Sequence, residues 1–170
     1  MDLIPIVKKM LFDLNIDISV IEIEDDKGIM TFNPETQVIE ISSPSLIIIS
    51  RKKGLPLNDY IHVLLCHELG HFKDEKLTNV TKTKEGLMKQ FTNGDFSKGL
   101  KDEIINLIYC CEVRAWKNGK LFVRKDLMSL FDKMQKEHLD YVKEHEEKHL
   151  IYVQELVEEK FKLERELFNI

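Results

Sequence analysis

Cysteine is scarce in this chain. Three occur in 170 residues, Cys66, Cys110 and Cys111, and two of them are adjacent. An odd number cannot pair completely, so no disulfide framework is expected and a reducing cytoplasm is the simplest setting. The two beside candidate site residues, Cys66 and Cys111, read as small buried apolar filler. Long apolar runs are missing too: nothing reaches the about 18 residues that a membrane-spanning helix needs, so no membrane partner is expected. The first residues, Met1-Asp2-Leu3-Ile4-Pro5, lack the basic region and apolar stretch of a secretory signal. Positive charge is not in excess. With 25 Lys and Arg against 30 Asp and Glu, the net charge of −5 gives no footprint for direct nucleic-acid binding, although a DNA-binding protein stays admissible as a partner.

What is present is 43% apolar and 32% charged, a globular composition with a charge-rich part. The length suits one domain with a core of its own, at residues 1–125, and a helical extension at residues 126–170. Ile6, Val7, Met10, Leu11 and Leu14 recur at helical spacing, with Pro5 in the first turn, where its missing N–H does no harm. Residues 16–23 alternate and are β-branched, a strand; Asp25-Asp26-Lys27-Gly28 reads as a turn. Residues 29–32 and 37–41 form two short strands around Asn33-Pro34-Glu35-Thr36, completing a small, mainly antiparallel sheet. The Ile run at 47–49 fits a strand, but Ser43 as cap, Pro44 and the later Gly54 favour a helix. Asn58 or Asp59 is expected to cap the next helix. Residues 73–99 are polar and carry Gly86, Gly94 and Gly99, which reads as a long mobile connection with one short helix around Glu85 to Phe91. Residues 101–118 are helical and stop at Asn118-Gly119. From Asp126 the chain is helical and charged. An approximate heptad seam runs through Leu127, Phe131, Met134, His138, Tyr141, His145, Tyr152, Leu156, Leu163 and Leu167. Its first half, to about Tyr141, is expected to dock on the domain and its second half to project or pair. The fold class is therefore α+β, a small sheet on a motif helix followed by long helices.

The chemistry centres on His67-Glu68-Leu69-Gly70-His71. Two histidines four apart share one helix face and can grip one ion, and Glu68 between them can take a proton from a water that the metal activates. A second match, His145-Glu146-Glu147-Lys148-His149, lies among Glu and Lys and reads as a solvated face. The first is flanked by Ile61, Val63, Leu64, Leu65, Leu69 and Phe72, and a helix apolar nearly all round is a buried one. Gly70 inside it costs about 1 kcal/mol against Ala, which calls for a packing reason.

Catalytic zinc usually takes three protein ligands. The metzincin spacing is excluded, because Asp74 and Leu77 stand where Gly and His would be needed. On the helix of residues 101–118, Glu112 shares its side with Ile105, Ile108, Tyr109, Ala115 and Trp116, while Glu103 and Arg114 face away. A carboxylate buried there costs several kcal/mol unless a metal or a basic partner offsets it. Asp102 and Glu85 are the weaker candidates, and Asp74 follows His71 too closely. His62 projects away from the motif face and should be exposed or hydrogen-bonded locally.

Leu55-Pro56 before a buried His-Glu-Leu-Gly-His helix, a small preceding sheet, and Glu112-Val113-Arg114-Ala115-Trp116 on the next long helix together resemble the ImmA/IrrE-type metallopeptidases. These are zinc-dependent proteins of prophages, integrative elements and bacterial stress systems. The resemblance spans residues 16–121. It implies that His67, His71 and Glu112 bind Zn²⁺, that Glu68 is the general base, and that the substrate is a protein or peptide such as a helix-turn-helix repressor. Glu75 departs from the pattern, a further His being common there, and the tail has no counterpart in it. Two functions follow as expectations: a narrow, regulatory zinc endopeptidase, or a metal-containing interaction module working through its C-terminal helix, with a second copy of the chain as one candidate partner.

Overall fold

The computed structural model describes residues 2–24 and 29–168; the turn expected at Asp25 to Gly28 lies outside them. Helix α1 (Ile4–Asp13) buries Val7 and Leu11, one turn apart, and ends where Asn15 takes a left-handed φ of 54°. Three strands follow, β1 (Ser19–Glu22), β2 (Met30–Asn33) and β3 (Val38–Ile41), in the order β1-β3-β2. The fold is α+β, and the sheet is mixed: β2 and β3 form the expected antiparallel hairpin, whereas β1 lies parallel to β3. The hairpin turn is set by Asn33, whose Oδ1 accepts the N–H groups of Glu35 and Thr36. Met30, Phe32, Ile39 and Ile41 alternate into the core, leaving β2 as an edge strand.

The ambiguous Ile run is helical, in α2 (Ser43–Lys52). Its cap is Ser42, not Ser43: the Ser42 Oγ accepts from the Ser45 N–H at 3.3 Å. Ser43 has a tertiary duty instead. It donates its N–H and O–H to the Glu22 carboxylate at 2.6 and 2.7 Å and accepts from the Leu3 N–H.

Helix α3 (Leu57–Phe72) carries the motif and buries ten residues from Tyr60 to Gly70. Neither Asn58 nor Asp59 caps it; Pro56 holds that position, and Asp59 accepts from Arg124 Nη2 at 3.0 Å. The connection expected at residues 73–99 is mostly a helix, α4 (Leu77–Thr92). Leu87 and Phe91, four apart, give it a buried stripe, while Gly86 faces open space. Then come α5 (Lys98–Gly119), two short 3₁₀ turns (Lys120–Phe122 and Lys125–Leu127) and α6 (Met128–Phe168). No helix among the described residues is long and apolar enough to cross a membrane.

The chain forms two compact units. One comprises residues 1–77 and 113–135, with α1, the sheet, α2, α3 and the end of α5; Trp116 and Phe131 meet there edge to face at 4.8 Å. The other comprises residues 78–112 and 136–170. Its core is Leu87 and Phe91 of α4, Leu100 and Ile104 of α5, and Leu150 of α6. The expected seam of α6 holds for Leu127, Phe131, Met134 and the half-buried His138 and then fails. Tyr141, Tyr152, Leu156, Leu163 and Leu167 are exposed, and Val142 and Leu150 are buried in their place. Buried Phe131 and Val142 and partly buried Val153 follow spacings of eleven, close to the 3.67 residues per turn of a nearly straight helix, so a heptad count drifts off the packed face.

Candidate metal centre

The rings of His67 and His71 meet edge to face with centroids 4.8 Å apart, as their one-turn spacing on α3 dictates. His67 is 4% exposed and lies against the Trp116 indole at 4.3 Å, which fixes the plane of the imidazole. The third residue comes from α5. One donor atom each of His67, His71 and Glu112 lie within 4.8 Å of one another, a group that could hold a metal ion. Two imidazole nitrogens and a carboxylate oxygen are donors that suit a divalent ion such as Zn²⁺, which these three residues would hold.

Two glycines let α5 come this close. A Cβ on Gly70 would lie 1.8 Å from the Ala115 carbonyl oxygen, and one on Gly119 would lie 2.3 Å from that of Cys66. Gly70 therefore has the packing reason that its position inside a helix demands. Gly119, with φ of −59°, serves close approach rather than a left-handed stop. Two polar ties reinforce the crossing. Asn118 Nδ2 donates to the Gly70 carbonyl at 3.3 Å, and Arg114 Nε donates to Asp74 Oδ2 at 2.8 Å. Asp74 is thus a buried anchor three residues beyond His71, a role that spacing did not disclose.

Glu68 is 6% exposed, and its Oε2 accepts the Phe32 N–H of β2 at 2.8 Å. The backbone bond orients the carboxylate, and Oε1 stands 3.9 Å from His67 Nε2. Phe32 and Phe72 pack edge to face at 5.6 Å, holding the edge strand on the motif helix.

The competing residues stand elsewhere. Glu103, Asp102 and Glu85 are exposed, and Arg114 pairs with Asp74. His62 is buried rather than exposed and has the local hydrogen bond expected as the alternative, with Cys66 Sγ at 3.5 Å; it also accepts the Arg124 N–H at 3.3 Å. Burial lowers the His62 pKa, with the Arg124 charge adding to the effect and Asp126 and Asp59 opposing it. Burial also pushes the Cys66 thiol up to about 12, which makes it inert filler. Tyr109 is half-buried under Lys143, whose Nζ lies 4.1 Å from the ring centroid. In the second H-E-x-x-H match, His145 and His149 are both exposed, with rings stacked at 6.4 Å. His138 was legible only as a seam residue, yet its Nδ1 lies 3.9 Å from Glu112 Oε2. In comparisons with known proteins, the chain matches no family model, no curated protein and no solved structure.

Proposed function

We propose that this protein is a zinc-dependent endopeptidase of narrow, regulatory specificity. The observation that carries the reading is a buried H-E-x-x-H helix whose two histidines are joined by a carboxylate from a second helix. Two imidazoles and one carboxylate are the donor set of one class of catalytic zinc sites, which leaves a position open to water or substrate. When bound, zinc supplies Lewis-acid polarisation of a carbonyl and lowers the pKa of water toward about 7.

The chain's own residues do the rest. Glu68, held by the Phe32 N–H, takes the proton of the attacking water and delivers it to the leaving amine. His67 is kept in plane by Trp116. The edge strand β2 lies beside Glu68 and offers its backbone to an extended peptide, which favours substrates that present an unfolded segment. Resemblance to the ImmA/IrrE-type metallopeptidases extends the proposal to a helix-turn-helix repressor as substrate. The free cysteines among the described residues support a cytoplasmic setting.

Glu68→Gln tests this reading. The variant keeps zinc and fold and loses cleavage of a peptide library by about 10²–10⁴-fold, the usual worth of a general base. Undiminished cleavage would mean that another group is the base. A second reading, a metal-containing interaction module, is favoured by one observation: Tyr141, Tyr152, Leu156, Leu163 and Leu167 are exposed along α6. On that reading Glu68→Gln changes nothing, and binding of a protein partner or a second copy is lost on mutation of those residues.

A further inference from the structure

We infer that His138 of α6 is an outer partner of the same metal centre, holding the Glu112 carboxylate so that the C-terminal helix sets the affinity of the site. The inference rests on the reading of His67, His71 and Glu112 as metal ligands.

His138 Nδ1 lies 3.9 Å from Glu112 Oε2, and the two side chains are 34% and 18% exposed. It occupies the packed face of its helix, four residues after buried Met134 and four before buried Val142, so α6 delivers the ring to Glu112. The other tail histidines differ. His145 is 50% exposed and its nearby carboxylate is its own neighbour, Glu146; His149 lies on the exposed side. His138 is also absent from the three residues whose donor atoms cluster within 4.8 Å, which makes it a partner of a ligand rather than a ligand.

A ligating carboxylate has two oxygens. The 3.9 Å separation is that of an ion pair, longer than a hydrogen bond. With one oxygen facing an ion, a small rotation that brings the imidazole N–H onto the other would fix the orientation of the group and its charge distribution. Outer partners of this kind typically carry 10–100-fold in metal affinity. His138 is thus a positioning residue, acting through Glu112. The consequence is that the first turns of α6 belong to the metal centre, and anything that shifts this helix changes how tightly the metal is held.

The test measures Zn²⁺ affinity of the full chain by competition with a chromophoric chelator, together with the visible absorption of the Co²⁺-loaded protein. His138→Ala should weaken Zn²⁺ binding by about 10-fold and alter the Co²⁺ spectrum. His138→Asn, whose amide N–H replaces Nδ1–H, should restore most of both, and His145→Ala should match the wild type. Wild-type affinity and spectrum in His138→Ala would overturn the inference. So would a His138→Asn variant as weak as His138→Ala, because the loss would then be one of packing. A wild-type protein that takes up no Zn²⁺ in the same titration would overturn the underlying metal reading instead, and with it this one.

Discussion

Gly70 sets how closely the end of α5 approaches α3 beside the two histidines. Its missing side chain lets the Ala115 backbone, one turn from Glu112, reach α3. Gly70→Ala should cost about 1–3 kcal/mol through overpacking and lower metal affinity with it; urea unfolding and a metal titration of one preparation check both. Gly86→Ala, with nothing within 4 Å of the added Cβ, is the control and should be neutral or slightly stabilising. His62 predicts a pH dependence. Its folded pKa lies below the ordinary 6.5, so the unfolded chain binds the proton more readily. Stability is full above about 6.5 and falls as the pH drops below that value toward the folded pKa. Urea unfolding of metal-free protein across that range should show the loss, and His62→Asn should flatten it. His67, Glu68 and His71 were legible because the apolar residues around them announce a buried helix. Glu112 was legible because an amphipathic projection set it among Ile108, Ala115 and Trp116. Asp74 and His138 were not, since each acts through a partner forty or twenty-six positions away, Arg114 or Glu112, which no local pattern encodes.

At the scale of elements, a helix is as legible in the sequence as its apolar stripe is strong. Helix α4 is legible only as a short helix around Glu85 to Phe91 within a connection, because Gly86 and the Lys and Thr around it obscure a stripe of only Leu87 and Phe91. Those two residues gain their weight from Leu100, Ile104 and Leu150, which are distant in sequence. The same cluster corrects the expectation for α6: its second half is not free to project, because Leu150 is 1% exposed. Leu150→Ala should therefore cost about 2–5 kcal/mol, whereas Leu163→Ala, on the exposed side, should stay within about 0.5 kcal/mol. Comparison of their urea midpoints decides the matter. Equal effects would mean that α6 packs through its heptad seam instead.

In the molecule as a whole, His67, His71 and the sequence-distant Glu112 could hold a single metal ion together. An ion that binds only the folded chain would stabilise it by mass action, by about 4 kcal/mol when present at a thousand times its dissociation constant. The most direct measurement is the metal content of protein purified without added metal, for the wild type, Glu112→Gln and Glu103→Gln. About one zinc per chain is expected in the wild type and in Glu103→Gln, and a clear loss in Glu112→Gln. A wild type without metal, or equal zinc in all three proteins, would contradict this metal site.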